Sequence, residues 1–72
     1  MDEFELSGYK ISFTEHGGFV GPTFYMTVDD DTFTLSYNDE LEAIQNAKKI
    51  LLEKYNITEP LPLIKFRWGN TL

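Results

Sequence analysis

The sequence predicts a small α+β fold, in which one helix packs on one face of an antiparallel sheet in the order β-β-β-α-β. Two patterns predict it. Short runs in which polar and apolar residues alternate are typical of strands, and one longer stretch carries apolar residues at the three- to four-residue spacing of a helix. With 72 residues the chain has room for a single domain, which spans residues 1–72.

Three alternating runs predict the strands that precede the helix. They are YKISFTE (9–15), TFYMTVD (23–29) and TFTLSY (32–37), and each places apolar or aromatic side chains on one face and polar side chains on the other. The three aspartates at 29–31 form a short turn that predicts an antiparallel hairpin, while the glycines and proline at 17–18 and 21–22 predict a looser connection. The aromatic side chains expected in the core include Tyr9, Tyr37 and Trp68.

The stretch YNDELEAIQNAKKILLEKY (37–55) predicts one amphipathic helix with Asn38 as its N-cap. Acidic residues are concentrated in its first turn and a half and lysines come later, which complements the helix dipole. After two prolines, the alternating run LIKFRWG (63–69) predicts a fourth strand. The apolar stripe expected to cover the sheet consists of Leu41, Ala43, Ile44, Ala47, Ile50, Leu51, Leu52 and Tyr55.

The sheet face that the helix leaves uncovered is predicted to be polar and large enough to bind another molecule. Its expected side chains are Lys10, Ser12, Thr14, Tyr25, Thr27, Thr32, Thr34, Ser36, Lys65 and Arg67. Proteins that bind single-stranded nucleic acid use exposed aromatic residues beside cations, and Tyr25 is the one aromatic residue expected here. The face is therefore mixed rather than basic; it is still expected to bind another molecule, and homodimerisation through it is the simpler interpretation.

Charge is distributed unevenly along the chain. Residues 1–47 contain ten acidic residues and one lysine, a balance of −9, whereas residues 48–72 have a balance of +3, which gives the net charge of −6. A surface rich in carboxylates repels phosphate, so direct binding of nucleic acid is not expected. The same field attracts a basic protein, for instance one that itself handles nucleic acid. The simpler interpretation is that the net charge keeps a small protein soluble.

The chain lacks cysteine, and its N-terminus is acidic, without the basic segment and apolar run of a secretory signal. No run of 18 apolar residues is present, so no membrane span is expected. These features predict a cytoplasmic protein.

Candidate catalytic groups are few. His16 is the single histidine and is expected to be solvated in a loop beside glycines. The acidic run at 28–32 lacks the spacing, glycine and terminal glutamate of a calcium loop and is expected to be a solvated turn. The glycines do not form a phosphate-binding pattern. The sequence therefore predicts no catalytic residue, no metal ligand, no cofactor site and no enzymatic activity.

Two segments, GYKISFTEHGGFVG (8–21) and NDELEAIQNAKKILLE (38–53), together resemble the small HicB-type antitoxins, whose helix follows the pattern EAxxNAxxAL. The resemblance implies a degenerate ribonuclease H-like sheet without catalysis that binds and blocks a small basic RNA-cleaving toxin. Two features depart from the family: the aspartates at 29–31 replace a Pro-Gly-Cys-like turn, and no C-terminal DNA-binding extension is expected.

The function predicted from these observations is a non-enzymatic, acidic module that binds and inhibits a basic, nucleic-acid-handling protein, as an antitoxin or a phage-encoded inhibitor would. The alternative is an assembly module that forms homo-oligomers through its sheet face or an edge strand. The residues expected to contact the partner are Glu15, Tyr25, Asp29, Asp30, Asp31, Asp39, Glu40 and Glu42.

Overall fold

A computed structural model describes residues 3–17 and 21–68. Within these residues, five strands and one helix follow one another: β1 (Glu3–Leu6), β2 (Tyr9–His16), β3 (Thr23–Val28), β4 (Asp31–Tyr37), α1 (Glu40–Tyr55) and β5 (Arg67–Trp68). The α+β class with one helix is confirmed, whereas the predicted order was wrong because a strand precedes the three that were expected. Gly18, Gly69 and the side chain of Trp68, to which predictions were attached, lie outside the described part.

Strand β1 is the element that the sequence-based prediction lacked. It pairs antiparallel with β2, and Phe4 lies opposite Ile11 in the register. The connecting residues Ser7 and Gly8 both have positive φ, at 52° and 85°, as a tight turn requires. The ring of Phe4 packs 5.9 Å from that of Phe13, so even this short strand contributes to the core.

Strands β1 to β4 form an antiparallel meander, and β5 adds to β2 in parallel. Because β1 pairs with the first half of β2 and β5 with Thr14 and Glu15, the two strands divide one edge of β2 between them. The predicted fourth strand is therefore only two residues long. Its preceding residues turn into the core instead: Ile64 is 7% exposed, and Phe66 packs 4.7 Å from Phe24.

The core lies between the sheet and α1. The helix presents Ala43, Ala47 and Leu51, which are all buried, and the alanines let its backbone approach the sheet closely. Two residues of the predicted stripe do not belong to it, since Leu41 is 67% exposed and Leu52 is 51% exposed. The three buried residues lie along one side of the predicted stripe. The other side of the stripe, which includes Leu41 and Leu52, faces solvent.

A β-bulge in β4 changes which side chains face the core. Phe24 lies opposite Ser36 and Tyr25 opposite Thr34, so Leu35 is the extra residue. Leu35 and Ser36 are consequently both buried, and the alternation is reversed after them. Ser36 was wrongly placed on the open face, and the expectation of a buried Tyr37 was also wrong, because that residue is 71% exposed.

The N-cap of α1 lies one residue later than predicted. Asp39 has an extended backbone and its side chain accepts a hydrogen bond from the amide of Glu42 at 3.0 Å. Asn38 instead has a φ of 55°, a left-handed conformation that does not suit an N-cap, and its amide donates to the carbonyl of Pro22 at 2.6 Å. At the other end, Asn56 takes the left-handed conformation that ends the helix.

Candidate functional site

The residues predicted to contact a partner are not brought together in one patch. The aspartate turn joins β3 to β4 at one end of the sheet, whereas the acidic helix start follows β4 at the other. Strand β4 has seven residues, so roughly 20 Å separates the two groups at about 3.3 Å per residue. Glu15 lies at the end near the helix start, since the neighbouring His16 pairs with Thr23 and Thr23 with Tyr37.

Asp29 has a structural role in the turn. Its amide donates to the carbonyl of Lys10 at 2.8 Å, and its Oδ1 accepts from the amide of Lys10 at 2.9 Å. The carboxylate thus extends the pairing of β2 and β3 beyond the last strand residue. Asp30 is exposed beside it and takes part in no such bond with a described residue. Of the two, Asp30 is the one free to meet a partner.

Asp31 belongs to a small cluster at the C-terminal end of α1. Its Oδ2 accepts a hydrogen bond from the Tyr55 hydroxyl at 3.5 Å. The Tyr55 ring packs edge-on against Tyr9, with centroids 4.8 Å apart, and 6.2 Å from Phe33, over which the Lys54 ammonium lies at 5.6 Å. Partial burial raises the pKa of Tyr55 above its ordinary value, and the negative charge of Asp31 raises it further.

The acidic residues at the helix start divide into one structural and two free side chains. Asp39 caps the helix, and its carbonyl accepts from the hydroxyl of the buried Ser36 at 2.5 Å. Glu40 and Glu42 are exposed, and neither forms an ion pair with a described residue. Glu15 is half-buried and pairs with Phe24 in the register, which places it on the helix side of the sheet.

Tyr25 lies on the open face, as predicted, but it has an unexpected neighbour. The His16 ring packs edge-on against it with centroids 5.2 Å apart, because His16 is the last residue of β2 and not a loop residue. Strand β1 also places Glu3 opposite Ser12 and Glu5 opposite Lys10. The open face therefore carries two carboxylates that were not included in the prediction.

The outer edge of β4 is protected against pairing with another strand. The bulge at Leu35 interrupts its regular hydrogen-bonding pattern, and the Nδ2 of Asn46 donates to the carbonyl oxygen of Leu35 at 2.6 Å. A helix side chain thus occupies an acceptor that a partner strand would need. This arrangement disfavours homo-oligomers that form through this edge.

One surface feature was missed at the sequence level: an open apolar groove of about 560 Å³ between α1 and the segment 57–64. The sequence pattern predicts a strand over residues 63–69 and no surface between this part of the chain and the helix. Leu63, one of the segment's residues, is 81% exposed. The groove is lined by Ile44, Lys48, Leu51, Leu52, Ile57, Thr58, Glu59, Leu61, Pro62, Leu63 and Ile64.

Within residues 3–17 and 21–68, no three histidine or acidic side chains are grouped so as to hold a metal ion. No helix in this part of the chain is long and apolar enough to cross a membrane. Comparisons of the chain with models of protein families, with curated proteins and with solved structures found no significant match. The resemblance to HicB-type antitoxins stays a prediction.

Proposed function

We propose that this chain is a non-enzymatic, acidic protein-binding module that binds a basic, nucleic-acid-handling protein and inhibits it. The supporting observation is the placement of its carboxylates. Of the described acidic residues, all except Glu15 are exposed, including Glu3 and Glu5 on the open face and Glu40 and Glu42 at the helix start.

The mechanism of inhibition follows from competition for cations. A protein that handles nucleic acid neutralises phosphates with lysine and arginine side chains. Exposed carboxylates satisfy the same side chains by charge-assisted hydrogen bonds, and the net charge of −6 speeds the encounter with a basic surface. The bound module then excludes nucleic acid from that surface. An antitoxin of the HicB type and a phage-encoded inhibitor of a host protein would both act in this way.

The first experiment identifies the partner and then tests the inhibition. The tagged protein is used to capture partners from extract of its native host at low and high salt, with nuclease present to remove bridging nucleic acid. We expect a basic protein that is released as salt rises. The purified partner should then lose nucleic-acid binding in proportion to the complex formed. A partner that keeps its nucleic-acid affinity when saturated with this protein would overturn the proposal, and recovery of nothing but further copies of the chain would favour the assembly alternative.

A charge-reversal pair locates the interface. Glu42→Lys changes the helix start, whereas Glu53→Lys makes the same charge change eleven residues later on the outward side of α1. Both residues are exposed glutamates. The two variants therefore have the same net charge and differ only in where the lysine is placed. We expect Glu42→Lys to slow association with the purified partner and Glu53→Lys to affect it less. Equal effects would remove the helix start from the interface.

A further inference from the structure

The groove between α1 and the segment 57–64 has the properties of a docking surface. Leu52 on the helix and Leu63 on the segment are 51% and 81% exposed, and nothing in the described part of the chain covers them. Exposed leucines scattered singly need no explanation, but here two of them face one depression whose other residues are mostly apolar. Such a surface in a protein of this charge indicates a binding site.

The groove is formed before any partner arrives. The segment is fixed at both ends, since Ile57 is 5% exposed and Ile64 is 7% exposed. The amide of Ile57 donates to the carbonyl of Leu51 at 3.0 Å, and Glu59 accepts from the hydroxyl of Ser7 at 2.5 Å. A ligand therefore binds walls that are already ordered, which lowers the entropic cost of binding.

The shape of the groove suits a helix. Along its α1 wall, Ile44, Lys48 and Leu52 succeed one another at intervals of four residues and form a straight ridge, and the opposite wall is an extended segment. The depression is open to solvent, so it would leave one side of a bound element in water. An amphipathic helix fits these conditions, because it inserts one apolar face and keeps the other in water.

The charges around the groove select among possible occupants. Glu40 lies one turn before Ile44 on the same side of α1, and Glu59 lies on the opposite wall. Lys48 lies between them and also lines the groove, so the attraction for a basic segment comes from the protein's net charge and from Glu40 beyond the lining. A second copy of the chain would add another net charge of −6 and be repelled, whereas a basic segment is attracted. Nucleic acid is repelled by the same net charge.

We propose that this groove binds an amphipathic helix of the basic partner. Apolar side chains at positions i, i+3 or i+4, and i+7 of that helix enter between Leu52 and Leu63, and its lysine or arginine side chains face Glu40 and Glu59. The inference rests on the proposed function and names the contact through which the partner is held.

The test uses three synthetic peptides and the full chain. The first is a helical peptide with leucine at i, i+3, i+4 and i+7 and lysine on its other face, the second has glutamate in place of lysine, and the third has the first composition in scrambled order. Amide chemical shifts of the isotope-labelled protein give the site, and fluorescence anisotropy gives the affinity. We expect only the first of the three peptides to bind well. Its binding should shift the amide signals of residues that line the groove.

Three matched variants test the site. Leu52→Arg and Leu63→Arg place a cation in the groove and should weaken binding of the basic peptide by about tenfold or more. Tyr37→Arg is the control, because Tyr37 is also a large exposed residue but lies on β4 and does not line the groove, so the affinity of this variant for the basic peptide should stay within about twofold. All three positions are at least half exposed, so each variant is expected to fold, which thermal unfolding verifies.

The outcomes separate the inference from the proposed function. If the basic peptide shifts amides of the open face or of residues 29–31, or binds no better than the acidic one, the groove is not the contact. If the natural partner is bound equally by Leu52→Arg and Leu63→Arg, the groove proposal is overturned while the proposed function stands. If no basic protein binds at all, the proposed function fails first. Groove shifts that grow with protein concentration in the absence of peptide would identify a second copy as the occupant.

Discussion

Lys10 and Asp29 are joined by two hydrogen bonds in opposite directions, in which each residue's amide is the donor. The amide of Asp29 donates to the Lys10 carbonyl, and the amide of Lys10 donates to the Asp29 carboxylate. The pair fastens the hairpin turn to β2, and Asp29 has a φ of 53°, which aspartate and asparagine tolerate better than most residues. A residue predicted to contact a partner therefore stabilises the fold.

Asp29→Ala should lower the free energy of unfolding by about 1–2 kcal/mol, because the Lys10 amide loses its acceptor and alanine is strained at positive φ. Asp29→Asn keeps an acceptor oxygen and should change stability by less than about 0.5 kcal/mol. Asp30→Ala is the neighbouring control and should also have little effect. Urea unfolding measures all three, and equal stabilities of the two alanine variants would contradict the structural role.

Tyr55 should make stability depend on alkaline pH. Its pKa in the folded protein is raised above the ordinary value of 10.0, so the folded state holds the phenolic proton more tightly than the unfolded state does. This contribution is complete below the unfolded-state pKa and is lost as pH rises through the folded-state pKa. Urea unfolding between about pH 9 and 12 should show a steeper loss of stability for the natural chain than for Tyr55→Phe. Parallel slopes would show that Tyr55 does not titrate differently in the two states.

Asn46→Ala should uncover the outer edge of β4. The carbonyl of Leu35 loses its side-chain donor, which should lower the free energy of unfolding by about 1 kcal/mol. The bare edge should also allow concentration-dependent self-association, which sedimentation equilibrium detects. Gln45→Ala removes an exposed amide from the adjacent position and should do neither. If Asn46→Ala is as stable and as monomeric as Gln45→Ala, the hydrogen bond from Asn46 to Leu35 does not protect this edge.

Gly21→Ala should be more destabilising than Gly8→Ala. Both glycines have positive φ, at 116° and 85°, so alanine is strained at each and the Gly8 variant should lose about 1–2 kcal/mol. At Gly21 a methyl group would additionally lie 2.5 Å from Oδ1 of Asn38, whereas no atom lies within 4 Å at Gly8. Combining Gly21→Ala with Asn38→Gly, which removes the whole side chain and tolerates the φ of 55° at that position, should recover the steric part of the loss. Thermal unfolding of Gly8→Ala, Gly21→Ala, the double variant and Asn38→Gly alone checks the order.

Alternation and helical spacing predicted most of the fold, because both report which side chains a local element can bury. The strands β2, β3 and β4 and the helix were all found near their predicted positions. Strand β1 was not predicted, since two of its four residues are glutamates, which alternate with Phe4 and Leu6 and were interpreted as part of an acidic N-terminus. The bulge at Leu35 could not be predicted, because it depends on which residues of β3 lie opposite β4. That pairing buries Ser36 and exposes Tyr37.

The sequence says less about the candidate site than about the fold. Sequence reasoning identified acidic residues, but it could not tell which of them hold the chain together. Asp29 and Asp39 bind backbone amides, so fewer carboxylates are free than the sequence suggests. The groove was missed for a different reason. Its walls come from α1 and from a segment without regular structure, and no periodicity marks how two such parts meet.

Strands β1 and β5 share one edge of β2, and this arrangement determines which strand can detach from the sheet first. The hairpins of the meander join near neighbours in the chain, such as Leu6 and Tyr9, whereas β5 brings Arg67 back to Thr14 across 53 residues for only two paired positions. Contacts of such long sequence separation form late in folding, and two paired positions provide little cooperativity. Hydrogen exchange should therefore show β5 detaching from β2 at a lower free energy than global unfolding, while the β2–β3 ladder stays protected. Strand β5 would then be separable from the rest of the sheet.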